Sequence, residues 1–332
     1  MNFSLLFKAA ANGDVPSIRR YEDDLSCIVN GQGRSLLHEA CINGRRATCV
    51  YLINRGCDVN ARDKTMRSPL HDAASAGFVE ICELLIDCCC NVNAMKSNQW
   101  TPLHLASQHG QFQCCMKLCD AGATTDIKNK DGWTCLHLAA RSGYTDIVSY
   151  LISHHNVAIN ARTNNGRTAL HTACLNGNFD CVRLLVQCHA DVNVQDSSGV
   201  APLHDAVSIS KNVTDVSIIN TSLDIVDLLV KHGADLNVVD CIGNSPLLLS
   251  SYHGHTCIIE KLCFYGADIL KRDRHGYCAI ETALSQNHED TARCMIKYLS
   301  KTKALSTIEH DLIHSRIHTI KIMELINNIF EE

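Results

Sequence analysis

The chain has 332 residues, with 30 Lys and Arg against 35 Asp and Glu for a formal net charge of −5, and it is 46% hydrophobic but only 5% aromatic. That balance gives no electrostatic drive toward nucleic acid, and no apolar run approaches the length of a transmembrane helix. The start, Met1 to Ala11, lacks the leading basic segment and the apolar run of a secretory signal, so the 20 cysteines are read as reduced thiols of a cytoplasmic or nuclear protein.

In chain order, Leu5 to Tyr21 predicts a helical cap within an N-terminal segment 1–30. A four-residue cluster ending Leu-His then recurs, with its histidine at His38, His71, His104, His137, His171 and His204, spaced 33, 33, 33, 34 and 33 apart. Two decayed copies end at Leu248 and Glu281. A period in the low thirties held this strictly marks one supersecondary unit being stacked.

The physical grammar of the unit is plain in Ser68-Pro69-Leu70-His71. The Ser hydroxyl suits a helix N-cap, and Pro at the next position lacks a donor that would be orphaned there anyway. Leu70 points inward, the small Ala73 and Ala74 let a second helix approach closely, and Gly77 supplies a left-handed cap. Val79 to Ile86 then predicts a second, amphipathic helix, and Asn91-Val92-Asn93-Ala94 leads into a projecting loop. Thr101-Pro102-Leu103-His104, Thr134-Cys135-Leu136-His137, Thr168-Ala169-Leu170-His171 and Ala201-Pro202-Leu203-His204 open equivalent helices, and Gly56, Gly122 and Gly233 close others.

The interval from His204 to Leu248 holds about 11 extra residues beyond the period. They are placed within 208–222, where polar and β-branched residues predict either a protruding loop or a lengthened helix. Repeats run over 31–300, and a helical tail over 301–332 carries an apolar stripe of Ile308, Leu312, Ile313, Ile317 and Ile320. His310, His314 and His318 follow at helical spacing and are expected on the solvent face of a capping helix.

The repeated pattern resembles the ankyrin repeat, T-P-L-H-x-A-A…L-L…G-A-D-V-N, over roughly residues 1–300, with eight recognisable units after the cap. The resemblance implies an all-α ankyrin-repeat solenoid of stacked helix pairs with projecting hairpin loops. It also implies that each repeated histidine bridges loop backbone groups by hydrogen bonds. A metal ladder is disfavoured independently, because histidines one repeat apart cannot converge on one ion.

The cysteines follow the same ruler. Cys41 and Cys174 occupy the second-alanine position, and Cys49, Cys82 and Cys181 fall among the apolar positions of second helices, where a free thiol behaves as a small hydrophobe. No C-x-x-C pair is present. The triplet Cys88-Cys89-Cys90 is the odd feature, with Cys89 standing where the family prefers Gly; packing is the expected role, and surface redox or metal reactivity the alternative.

Residues just before each cluster are the natural reading heads of such loops. Aligned there are Arg67, Trp100, Trp133, Arg167 and Val200, and these two tryptophans are the only ones in the chain. Trp and Arg are enriched at interface hot spots. Lys64, Lys96, Lys128 and Lys130 add a basic rim on an acidic protein. Together they form the candidate surface for an acidic or mixed-charge protein partner, the alternative being that each Trp packs against its own loop. Charge reversal at Arg67 and Arg167 is expected to weaken binding without lowering the melting temperature.

No phosphate loop, nucleophile elbow or paired carboxylates stand out, so the sequence reads as a non-catalytic, monomeric protein-binding scaffold with no cofactor. Within the family, residues 60–210 are similar to a cofactor of alanyl-tRNA synthetase that helps clear misactivated serine through lysine side chains. That likeness implies the synthetase as partner. It places Lys130 at one acceptor position and Ser97 and Asn160 at the other two, with Lys96 one place from Ser97. The competing reading is a substrate-recruiting adaptor of a ubiquitin ligase, whose SOCS box is not recognisable after Pro246 and Cys294.

Overall fold

Short amphipathic helices need neighbours to bury their apolar stripes, and here they find them pairwise. A computed structural model describes residues 3–21, 24–155, 157–208, 216–302 and 322–326. They fall into two compact units, 1–164 and 165–332.

In the first unit, α1 (Phe3–Asn12) and α2 (Val15–Arg19) form the cap. The pairs α3 (Leu36–Ile42) with α4 (Arg46–Asn54), α5 (Pro69–Ala76) with α6 (Val79–Asp87), α7 (Pro102–Gln108) with α8 (Phe112–Asp120), and α9 (Cys135–Ser142) with α10 (Thr145–His155) follow. First helices stack on first helices and second helices on second helices. In the second unit the pairs are α11 (Ala169–Leu175) with α12 (Phe179–Gln187), α13 (Pro202–Ser208) with α14 (Val216–Lys231), α15 (Pro246–His253) with α16 (Thr256–Phe264), and α17 (Ala279–Ser285) with α18 (Glu289–Thr302). Among the described residues there are no strands; the fold is all-α, an ankyrin-type array of helix pairs, as the repeat implies.

The core is made of the residues the repeat aligns. Leu36, Ala40, Cys41, Leu70, Ala73, Ala74, Leu103, Ala106, Leu136, Ala139 and Ala140 are sealed from solvent in the first unit, as are Leu170, Ala173, Cys174, Leu203 and Ala206 in the second. Alanine and cysteine at consecutive inner positions keep neighbouring helix axes close. Gly77 and Gly143 end α5 and α9 in the left-handed region, at φ 83° and 82°, where a side chain is disfavoured.

All the cysteines are free. The Cys41 and Cys49 sulfurs stand 3.6 Å apart and those of Cys82 and Cys114 3.8 Å, well beyond the ~2.05 Å of a disulfide. Cys89 is exposed with φ 57°, so it fills the left-handed slot that Gly56 and Gly122 take one repeat to either side. Cys90 is buried, and burial pushes its thiol up to about 12.

In the sixth repeat α14 spans 16 residues, against nine in α6, α8 and α12. The rest of the expected insertion, 209–215, lies outside the described residues. So do 303–321 and 327–332, and with them His310, His314 and His318. No helix among the described residues is long and apolar enough to cross a membrane.

Candidate partner-binding site

The repeated histidine sets the geometry of everything upstream of the next cluster. The Ser68 backbone N–H donates to His71 Nδ1 at 3.2 Å, which leaves Nε2 carrying the proton, and Nε2 donates to the Trp100 carbonyl at 3.0 Å. His38 reaches the Arg67 carbonyl at 2.9 Å and His104 the Trp133 carbonyl at 3.1 Å in the same way. In the second unit His171 reaches Val200 and His204 reaches Asn244, each at 3.0 Å. Each bond pins the last loop residue of one repeat to the first helix of the one before.

Only a neutral imidazole can accept at Nδ1 and donate at Nε2. Burial favours that form: it depresses the pKa of His38, His104 and His204, and it lowers His71 to about 3. The decayed copies use substitutes. At Glu281 the carboxylate accepts from the Cys278 backbone N–H at 2.8 Å and pairs with Arg272 at 2.9 Å, the arrangement of a Glu capping box.

Loop tips are shaped by an Asn or Asp four residues before the aligned position. Asp63 Oδ1 accepts from the Thr65 and Arg67 backbone N–H groups, Asn129 Oδ1 from those of Asp131 and Trp133, and Asn30, Asp196, Asp240 and Asp273 do the same elsewhere. This Asx geometry turns the chain without help from other loops. Adjacent tips are then tied together by one backbone bond each: Lys64 N–H to the Gln32 carbonyl (2.9 Å), Ser97 to Thr65 (2.8 Å) and Lys130 to Asn98 (2.9 Å).

On this frame the predicted site residues take different roles. Trp100 and Trp133 are half-buried, each tilted against the histidine four residues on with ring centroids 5.9 Å apart. The Lys96 ammonium lies 5.5 Å from the Trp100 ring centroid and the Arg141 guanidinium 5.4 Å from that of Trp133, both in cation–π range. Burial, then the repulsion of nearby Arg67, lowers the Lys96 pKa. Lys128 donates to the Arg162 carbonyl at 2.7 Å. Lys130 is exposed, and its ammonium has no partner among the described residues. The first unit thus brings Trp100, Trp133, Lys96, Lys128 and Lys130 onto consecutive loops.

The two arginines are committed inward. Arg67 Nε pairs with the buried carboxylate of Asp72, and in the second unit Arg167 pairs with Asp205, 6% exposed. Reversing either charge would set two carboxylates together in a dry place, so it would cost stability whatever the partner does. The sequence-based expectation of an unchanged melting temperature does not hold for these sites. Arg34, at the aligned position of the first repeat, was overlooked by the sequence reading; it joins Asp72 at 3.0 Å and Glu39 at 2.8 Å. The same one-before-the-cluster rule that found Arg67 points to it. Arg141 carried no such signal, because its importance depends on which ring lies beside it.

Helix pairs at a near-fixed period and, where the residue is kept, a histidine bridge to the following loop define the unit, and a model of ankyrin repeats in three copies matches residues 37–129, 70–163, 117–196, 155–216 and 215–304. The chain belongs to the ankyrin-repeat family. No curated protein matches it. Among the described residues no grouping of His, Cys, Asp and Glu has the geometry to hold a metal ion. Ankyrin repeats are protein-interaction modules, and the loop face of the first unit is where this chain places its two tryptophans and the exposed Lys130.

Proposed function

We propose that the protein is a non-catalytic scaffold that binds a protein partner through the loop face of its first unit, centred on Trp100 and Trp133. The observation that carries this reading is the pairing of each half-buried indole with a cation, Lys96 on one and Arg141 on the other. A half-exposed aromatic with a cation beside it offers both apolar area and charge to an incoming acidic or mixed-charge surface.

The resemblance read from the sequence over residues 60–210, to an ankyrin-repeat cofactor of alanyl-tRNA synthetase, is the ground for proposing the synthetase as that partner; the comparison with curated proteins adds no support to it. The exposed Lys130 stands at an acceptor-lysine position implied by that resemblance. Ser97 and Asn160 stand at the other two, and Lys96, the near neighbour of Ser97, has its ammonium over the Trp100 ring. The partner is therefore proposed, and the amine-acceptor chemistry rests on Lys130 alone.

Affinity capture from cells, comparing the wild-type chain with a Lys96→Glu/Lys130→Glu variant, tests this. Both ammonium groups lie outside the ion-pair network, so the variant should keep its melting temperature while losing the partner. Recovery of the synthetase by wild type only supports the finer reading. Cullin or elongin components would favour a ubiquitin-ligase adaptor, and equal capture by both proteins would remove the loop face as the binding surface.

A further inference from the structure

The residue just before the aligned position is in the left-handed region in all eight loops. Six of them use glycine: Gly33, Gly132, Gly166, Gly199, Gly243 and Gly276, with φ between 74° and 92°. The other two are Met66 and Gln99, both at φ 62°, and Asn98 adds a third left-handed side chain at φ 61°. Bulky residues rarely adopt this backbone. The exceptions fall on consecutive loops, the second and the third.

The third loop breaks a second local rule. Lys96 stands where six other loops have the Asn or Asp that accepts two backbone N–H groups. It cannot accept; the Lys96 N–H to Trp100 carbonyl bond at 2.9 Å is the one the other loops also make, and what differs here is a 3-10 turn over Ser97–Gln99. Places where a chain departs from its own local rules without a packing gain are where function is expected.

These departures expose a defined chemistry. Arg62 Nη1 donates to the Met66 carbonyl at 2.8 Å and to the Met95 carbonyl at 2.6 Å, holding two methionines beside one guanidinium. The two residues are 50% and 43% exposed. Methionine is flexible and polarisable, suited to contacting irregular apolar groups. Around them the segments 58–67 and 91–100 carry Arg62, Lys64 and Lys96 against Asp58 and Asp63, with Arg67 paired inward to Asp72. The Asp63 carboxylate is turned inward, 8% exposed. By contrast, segments 190–200 and 234–244 of the second unit hold Asp191, Asp196, Asp235 and Asp240 and no Lys or Arg, and segment 267–277, which carries Lys271, Arg272 and Arg274, has no methionine.

We infer that the tips of the second and third loops form a docking surface for an acidic peptide segment of the partner, with an apolar side chain of that segment seated on Met66 and Met95. The inference rests on the scaffold reading and deepens it by naming the partner's chemistry. The cationic rim attracts the carboxylates, and the methionine pair supplies the apolar contact that makes the attraction selective.

The test uses the full chain and a fluorescein-labelled peptide with two central leucines flanked by glutamates, followed by fluorescence anisotropy. Matched peptides carry serine for leucine or lysine for glutamate. Binding of the acidic apolar peptide should be about tenfold or more tighter than either control. Met66→Gly/Gln99→Gly and, separately, Lys96→Asn give these loops the residues the others carry. Each should weaken binding about fivefold or more, of the order of one interface contact, while the melting temperature stays equal or rises. Affinity unchanged in these variants, binding lost together with a lowered melting temperature, or equal binding of the three peptides would each overturn the inference. If Trp133→Ala releases the cellular partner while Met66→Gly/Gln99→Gly does not, the scaffold reading stands and this one fails.

Discussion

Arg34 Nη2 lies 3.0 Å from Asp72 Oδ2 across 38 residues of sequence, and Arg67 holds the other oxygen of the same carboxylate. Asp72 is 1% exposed while the guanidiniums are 14% and 22% exposed, so the network is dry at its centre. Removing the carboxylate would leave two cations facing each other with their acceptor gone. Asp72→Ala should therefore destabilise the first unit by about 3 kcal/mol, read as a lower urea midpoint. Arg67→Glu should destabilise as well, whereas Lys130→Glu, which breaks no ion pair, should leave the midpoint within about 0.5 kcal/mol.

The neutral histidines make the fold acid-sensitive. His38, His71, His104 and His204 have folded pKa values below the ordinary 6.5 because they are buried. Between each folded value and 6.5 the unfolded chain binds a proton that the folded chain does not, so stability falls as pH falls. The histidine contribution is fully present above about pH 6.5 and is lost below it, at up to about 1.4 kcal/mol per pH unit for each such residue. Urea titrations from pH 7.5 to pH 4.5 should show this decline, with a shallower slope for His71→Gln.

Two glycines separate backbone strain from crowding. A Cβ on Gly132 would stand 2.4 Å from the Asn164 backbone nitrogen, whereas one on Gly122 would meet nothing within 4 Å, and both residues are left-handed. Gly122→Ala should cost about 1 kcal/mol, the left-handed penalty alone. Gly132→Ala should cost more than about 2 kcal/mol, because a loop must also move. Thermal melting of the two variants compares them directly.

Thiol accessibility divides the cysteines. Cys27, Cys89, Cys241 and Cys257 are exposed, while residues such as Cys41, Cys135 and Cys174 are wholly buried, and burial raises their thiols far above the usual range. A native-state thiol titration should show a fast phase from the exposed set and release of the buried set only on denaturation. Cys89→Gly should remove one equivalent from the fast phase and raise the melting temperature, since it frees a left-handed position of its side chain.

How much of this was legible in the sequence follows from the range of the forces involved. The period, the caps, the glycines and the alanine pairs act within a few residues, so the fold could be read directly. The histidine role came with the family resemblance, and His38, His71, His104, His171 and His204 each make the bridge it implies. Side-chain pairing between repeats was not legible. Whether Arg67 faces a partner or Asp72 depends on the residue after His71 and on the path of Arg34, and no local pattern records either. The exposed Met66 and Met95 were missed for a related reason: single apolar residues on loops carry no signal until Arg62 is seen holding their backbones together.

The central claim, that the loop face of the first unit is the binding surface, is met most directly by amide hydrogen exchange on the full chain with and without its captured partner. New protection is expected across 62–67, 95–100 and 128–133, with little change in the second helices. Protection confined to α4, α6 and α8, with those loops exchanging as in the free chain, would contradict it.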